Sequence, residues 1–108
     1  MIKYTITVGL NDKDTKKQKH FTRYYYKEIY KMFDFFKIEG ATLTEAKGFY
    51  RHDNGEAVKE KAINIDLLFI EETTVKMMCK YLLKKFNQES VVLAINNDYN
   101  SDLIYYEN

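Results

Sequence analysis

Ile2, Tyr4, Ile6, Val8 and Leu10 alternate with Lys3, Thr5, Thr7 and Gly9. A period of two predicts a strand with one apolar face. Residues 11–21 are polar and lysine-rich and read as a long loop. Tyr26, Ile29, Phe33 and Phe36 then recur at helical spacing, with Tyr25 and Met32 beside them. Thr22 is expected to cap that helix, and Gly40 to end it in a left-handed conformation. Residues 42–51 read as a second strand. Asp53-Asn54-Gly55 reads as a hairpin turn, because Asn and Gly tolerate positive φ. The third strand, over 62–70, is the most apolar and is expected at the centre of the sheet. Thr73 or Thr74 is expected to cap a second helix whose buried stripe is Val75, Met78, Cys79, Leu82 and Phe86. A fourth strand covers 89–95.

This order of elements is the split β-α-β signature of a ferredoxin-like βαββαβ sandwich. It predicts one α+β domain over residues 1–95, with a four-stranded antiparallel sheet in the order 4-1-3-2 and two helices on one face. The tail, 96–108, is polar except for Leu103-Ile104-Tyr105-Tyr106, so it is expected to pack on the domain or to add an edge strand. A fold of this kind gives shape and leaves activity open.

The topology gathers three loops at one end: the basic loop after Gly9, the hairpin around His52, and the corner before the fourth strand. That rim is the candidate binding site, as loop clusters on rigid scaffolds often are. Its residues are Lys16, Lys17, Lys19, His20, Arg23, Tyr50, His52, Gln88 and Glu89. The lysines around His20 read either as a solvated loop or as a site for an anion or acidic partner.

Composition narrows the classes. Hydrophobic residues make up 45% of the chain and aromatics 16%, enough for a core. The formal net charge of +1 argues against a nucleic-acid footprint over the whole surface. Charge is uneven, with 11 Lys/Arg against 6 Asp/Glu in residues 1–51 and 6 against 10 in residues 52–108. No apolar run is long enough to span a bilayer, and residues 1–5 lack a signal-peptide layout. Cys79 is the one cysteine, which permits no internal disulfide and suits a reducing, cytoplasmic setting. Absent Pro and Trp, with abundant Lys, Asn, Ile and Tyr, suit an AT-rich bacterial, phage or plasmid genome.

Candidate chemistry is sparse. HxxxH, HExxH and CxxC spacings are missing, so no metal or cofactor is expected. His52 has the pKa range of a general acid or base. Cys79 sits on an apolar stripe, where a buried inert thiol is the default. Tyr24 and Tyr30 are the tyrosines expected outside the core stripe, where they suit a protein interface. The sheet face away from the helices should present Thr5, Thr7, Asn64, Asp66, Leu68, Val92 and Ala94. That mixture suits a homodimer contact.

Ala41-Thr42-Leu43-Thr44, Gly48-Phe49-Tyr50, the 56–60 region and Phe86-Asn87-Gln88-Glu89-Ser90-Val91 carry a resemblance over about residues 4–95. The pattern resembles a family of small bacterial ferredoxin-like proteins of unknown function. Its marks are a Leu-Thr…Gly-x-aromatic segment and a Phe-x-Gln-Glu-Ser-Val stretch. The resemblance implies no activity, substrate or cofactor, and draws attention to Gln88, Glu89 and Ser90.

The expectation from sequence is a small non-catalytic binding protein acting through protein–protein contacts. The alternative is a small dimeric α+β barrel enzyme with a pocket on the sheet face, using Tyr50, His52 or Glu89. A third reading is a nucleic-acid-binding accessory protein.

Overall fold

A computed structural model describes residues 1–51 and 54–108. Its elements are β1 (Lys3–Gly9), α1 (Thr22–Phe36), β2 (Thr42–Arg51), β3 (Ala57–Leu68), α2 (Glu72–Lys85), β4 (Ser90–Asn96) and β5 (Ser101–Glu107). The strands form one antiparallel sheet in the order β2-β3-β1-β4-β5. The expected order 4-1-3-2 is there, but the sheet has five strands where four were expected. The tail supplies the fifth, pairing along β4 from Asn96↔Ser101 to Ser90↔Glu107. Ile104 and Tyr106 alternate with the exposed Leu103 and Tyr105 and pack on the core, which gives that edge strand a core-facing side.

Both helices cover the same face of the sheet. Tyr4, Ile6 and Val8 of β1, Ile63, Ile65 and Leu67 of β3, and Val91 and Leu93 of β4 point into it. Ile29 and Met32 of α1 and Val75, Met78, Cys79 and Leu82 of α2 meet them, all buried. Burial of this apolar area, at about 25 cal/mol per Å², is the main force holding the layers together.

Several local expectations are corrected. Phe21, not Thr22, precedes α1, and no side chain caps that helix. The Thr22 hydroxyl instead accepts from Gln18 Nε2 (3.2 Å) and Lys61 Nζ (3.4 Å). The left-handed residue ending α1 is Lys37 (φ 57°), not Gly40. The next N–H, of Ile38, reaches back to the Phe33 carbonyl, so the helix closes three residues earlier. Glu71, rather than Thr73 or Thr74, precedes α2. β3 begins at Ala57, not at 62, because the polar run 57–61 pairs with β2 from Arg51↔Ala57 onward. This makes β2–β3 a long hairpin that extends past the end of β1. His52 and Asp53, expected in its turn, lie outside the described residues. Gly55 takes φ 87° and Asn54 Oδ1 accepts the Glu56 N–H at 2.9 Å, so a left-handed, Asn-supported turn is present there.

The second sheet face carries no helix. Register places Thr5 beside Asp66 and Thr7 beside Asn64 on it, with hydroxyl-to-oxygen bonds of 2.6 and 2.7 Å. Val92 and Ala94 stand opposite Thr7 and Thr5 on β4, as the sequence leads one to expect. No helix among the described residues is long and apolar enough to cross a membrane.

Candidate functional site

Glu60 stands on the open face of β3, in phase with Ala62, Asn64 and Asp66. It is half-buried, and Gly9 makes room for it. Gly48 is its direct partner on β2. Gly9, the last residue of β1, lies beneath the carboxylate itself. A Cβ at Gly9 would sit 2.5 Å from Glu60 Oε1 and 2.7 Å from Oε2, so the carboxylate could not keep its place above any other residue. A glycine inside a strand here marks close approach by another group, not a break in the strand.

The carboxylate accepts the Asn11 N–H at 3.1 Å and makes no ion pair among the described residues. Burial raises its pKa; the Asn11 N–H opposes that rise, and the nearby Glu89 charge adds to it. Tyr50, on the same face of β2, has its phenol pKa raised by burial and by the Glu60 and Glu89 charges. Two acidic groups and a phenol therefore converge in one corner.

The loop after β1 closes this corner. Gln88 is 3% exposed, and its Nε2 donates to the Asn11 carbonyl (2.7 Å) and the Phe86 carbonyl (3.3 Å). It thus pins the residue whose N–H holds Glu60. Asn87 is left-handed (φ 46°) and donates from Nδ2 to Asp12 Oδ1 and Asp14 Oδ2, both at 2.9 Å. Its carbonyl accepts the Lys13 N–H at 2.8 Å. Asp12, 5% exposed, also accepts the Asp14 and Thr15 N–H groups and meets Lys19 Nζ at 3.2 Å. The Asn87 amide is the largest of the causes that hold its carboxyl well below the usual range. The loop is organised around this buried anion and is stapled to the α2–β4 corner.

Together these groups enclose a cavity of about 310 Å³. Asn11, Lys13, Lys16, Tyr50, Glu60 and Glu89 supply its chemistry, with Asp12, Gln88 and Ser90 completing the wall. Its size falls at the small end of ligand sites, and convergent polar groups with shifted pKa values are the usual signature of one. A wider hollow of about 650 Å³ lies at the far end of the sheet, between Phe36, Gly40, Thr42 and Phe69. Lys37, Glu39, Asp66 and Glu71 also line it.

The expected rim divides in two. Lys16, Tyr50, Gln88 and Glu89 do come together at the cavity. Lys19, His20 and Arg23 line a separate, more open hollow at the start of α1, with Phe21, Tyr24 and Lys61. Lys17 is exposed and lines neither. His52 lies outside the described residues. Tyr24 stacks on His20 at 4.0 Å between ring centroids, whereas Tyr30 is 55% exposed. Six helical positions separate them, about 120° around the axis, so they do not form one patch. Cys79 is buried and its thiol is pushed up to about 12 by desolvation, which makes it inert.

Sequence reasoning missed Glu60 as a site residue. The signal for Glu60 was present in two glycines at strand positions, Gly9 and Gly48, flanking a charged residue in phase with the open face.

No family model matches the chain, and no curated protein sequence matches it. Among solved structures it is similar to a phage SAM lyase in complex with S-methyl-5'-thioadenosine, at TM-score 0.79 and 22% identity. The same phage SAM lyase in its apo state gives TM-score 0.80 at 22% identity. In both cases the match covers 99% of this chain and 89% of the other. At this identity the likeness is one of fold.

Proposed function

We propose that this protein is a small enzyme that binds a nucleoside sulfonium of the S-adenosylmethionine type and breaks one of its carbon–sulfur bonds. The observation that carries the reading is the half-buried Glu60 carboxylate, without an ion pair among the described residues and set over Gly9 in a cavity shared with Tyr50 and Glu89. The similarity in fold to a phage SAM lyase supports it. It favours the enzyme alternative over the non-catalytic interaction protein expected first from sequence.

The chemistry suits such a site. A sulfonium already carries positive charge on sulfur. When the C–S bond breaks, its electron pair moves to sulfur and a neutral thioether leaves, so no acid is needed to protonate the leaving group. The carbon left behind takes its new bond from within the substrate. Either the substrate carboxylate closes on it, or a neighbouring C–H bond supplies the pair and a base takes the proton. Water is not a reactant. The protein must supply negative potential for the cation and a restricted geometry. Glu60 and Glu89 provide that potential, the neutral Tyr50 phenol lines the wall beside them, and the Asp12-centred loop restricts the space.

The test is direct. S-adenosylmethionine is incubated with the purified chain, and S-methyl-5'-thioadenosine is followed by liquid chromatography. Its enzyme-dependent appearance is expected. Micromolar protein that yields none above the uncatalysed background overturns the reading.

We also propose that the open sheet face, with Leu103 and Tyr105 exposed along β5, seats a second copy of the chain. A monomer in sedimentation at micromolar concentration overturns this.

A further inference from the structure

The cavity carries charges of both signs, and the two signs come from different elements. Glu60 of β3 and Glu89, just before β4, give the negative side. Lys13 and Lys16, from the loop between β1 and α1, give the positive side. Lys19 of the same loop is committed to Asp12, but Lys13 and Lys16 join no ion pair among the described residues.

Lys16 is held in an unusual way. Its backbone is left-handed, φ 62°, a conformation that disfavours residues with a side chain. Its N–H donates to the Asp12 carbonyl at 2.8 Å, while the Asp12 carboxylate gathers the N–H groups of Asp14 and Thr15. The loop is thus wrapped around Asp12 and tied by Asn87 to the α2–β4 corner. Lys16 stands on the wall between the cavity and a second hollow of about 680 Å³ beneath the β2–β3 hairpin, which Asn54, Glu56, Val58 and Lys59 also line.

We propose that Lys16 is the specificity residue of this cavity, its ammonium receiving a carboxylate on a ligand whose cationic part faces Glu60 and Glu89. The inference rests on the sulfonium reading and narrows it. The ligand class is a nucleoside carrying an amino-acid tail on sulfur, with a positive centre and a carboxylate at opposite ends. A carboxylate–ammonium bond is charge-assisted and strong for its size. The two acidic groups alone would favour any cation. The lysine selects those cations that bring their own anion, and the strained, doubly tied loop fixes where that anion must lie.

The experiment compares two nucleosides that this chain is not expected to cleave. S-adenosylhomocysteine keeps the amino-acid tail, whereas S-methyl-5'-thioadenosine lacks it. Binding of each is measured by calorimetry to the wild type, Lys16→Met and Lys16→Arg. Lys16→Met is expected to weaken S-adenosylhomocysteine about tenfold, equivalent to about 1.4 kcal/mol, and to leave S-methyl-5'-thioadenosine within twofold. Lys16→Arg, which keeps the charge, should recover most of the loss. An equal loss for both nucleosides, or no loss for either, overturns the Lys16 assignment while the sulfonium reading stands. A wild type that binds neither nucleoside overturns the Lys16 assignment, and one that also forms no S-methyl-5'-thioadenosine from S-adenosylmethionine overturns both. Lys13→Met reproducing the selective loss in place of Lys16→Met moves the role to Lys13 and overturns the assignment as stated.

Discussion

The two faces of β3 obey different rules, although their residues alternate along one strand. Ile63, Ile65 and Leu67 point into the helix-covered core and are buried among apolar neighbours. Glu60, Asn64 and Asp66 point the other way. Asn64 and Asp66 are satisfied by the threonine hydroxyls of β1. Glu60 makes no ion pair among the described residues; it has one backbone N–H and a neighbouring carboxylate. Burying a charge without a counter-charge is unfavourable for the fold. The helix-covered face is therefore arranged for stability, whereas in the proposed reading the Glu60 end of the open face gives up some stability to hold a group ready for a positively charged ligand.

That contrast breaks most sharply at Glu60. Glu60→Gln keeps shape and removes charge. Turnover of S-adenosylmethionine should fall by at least about 100-fold, the usual loss when a group facing transition-state charge is removed. The thermal midpoint should hold or rise. A variant that keeps full turnover shows that the carboxylate is not part of the chemistry.

Ile65→Ala is the converse change on the same strand. Its side chain is fully buried, so the loss of contacts and the cavity left behind should cost about 2–5 kcal/mol in urea unfolding. Activity per folded molecule should stay near the parent value. If Ile65→Ala instead lowers turnover as strongly as Glu60→Gln, the two faces are not separable. Gly9→Ala tests how finely the open face is set. The new methyl group occupies the carboxylate's place, and a displacement of about 1 Å can cost up to about 100-fold in rate. Amide chemical shifts of the core should be unchanged, while the Asn11 N–H that bonds Glu60 should move.

Much of the helix-covered face was legible in the sequence because burial writes itself as periodicity. Ile6, Val8, Ile63, Ile65, Val75 and Leu82 recur at the spacing of their elements, and the order of those elements fixes the central sheet. The cavity was only half legible. Gln88 and Glu89 were found because the topology brings the α2–β4 corner to the rim, and Tyr50 because it closes β2. Glu60 was hidden because β3 was begun at residue 62, where the apolar run starts, and charged residues in a two-stranded hairpin extension carry no hydrophobic signal. The division of the basic loop was hidden for another reason. Asp12 turns part of it inward through side-chain-to-backbone bonds that depend on Asn87, 75 residues away in sequence.

The smallest effect expected is a pH-dependent one, and it isolates the cost of the charge from everything else. Glu60 has its pKa raised in the fold above the ordinary 4.5 by burial and by Glu89. A carboxyl with a raised folded pKa binds its proton more tightly when folded than when unfolded. Its favourable contribution is full below the unfolded pKa and is lost as pH rises through the folded pKa. At neutral pH the ionised Glu60 thus weighs against folding, and Glu60→Gln removes that weight. The variant should melt higher than the parent at pH 7–8, and the gap should close as the pH falls toward about 4, where the parent carboxyl is protonated in both states. Paired thermal melts across this range measure it. A gap that is constant with pH assigns the difference to packing of the amide, and a gap of opposite sign shows that Glu60 finds a cation in the folded protein.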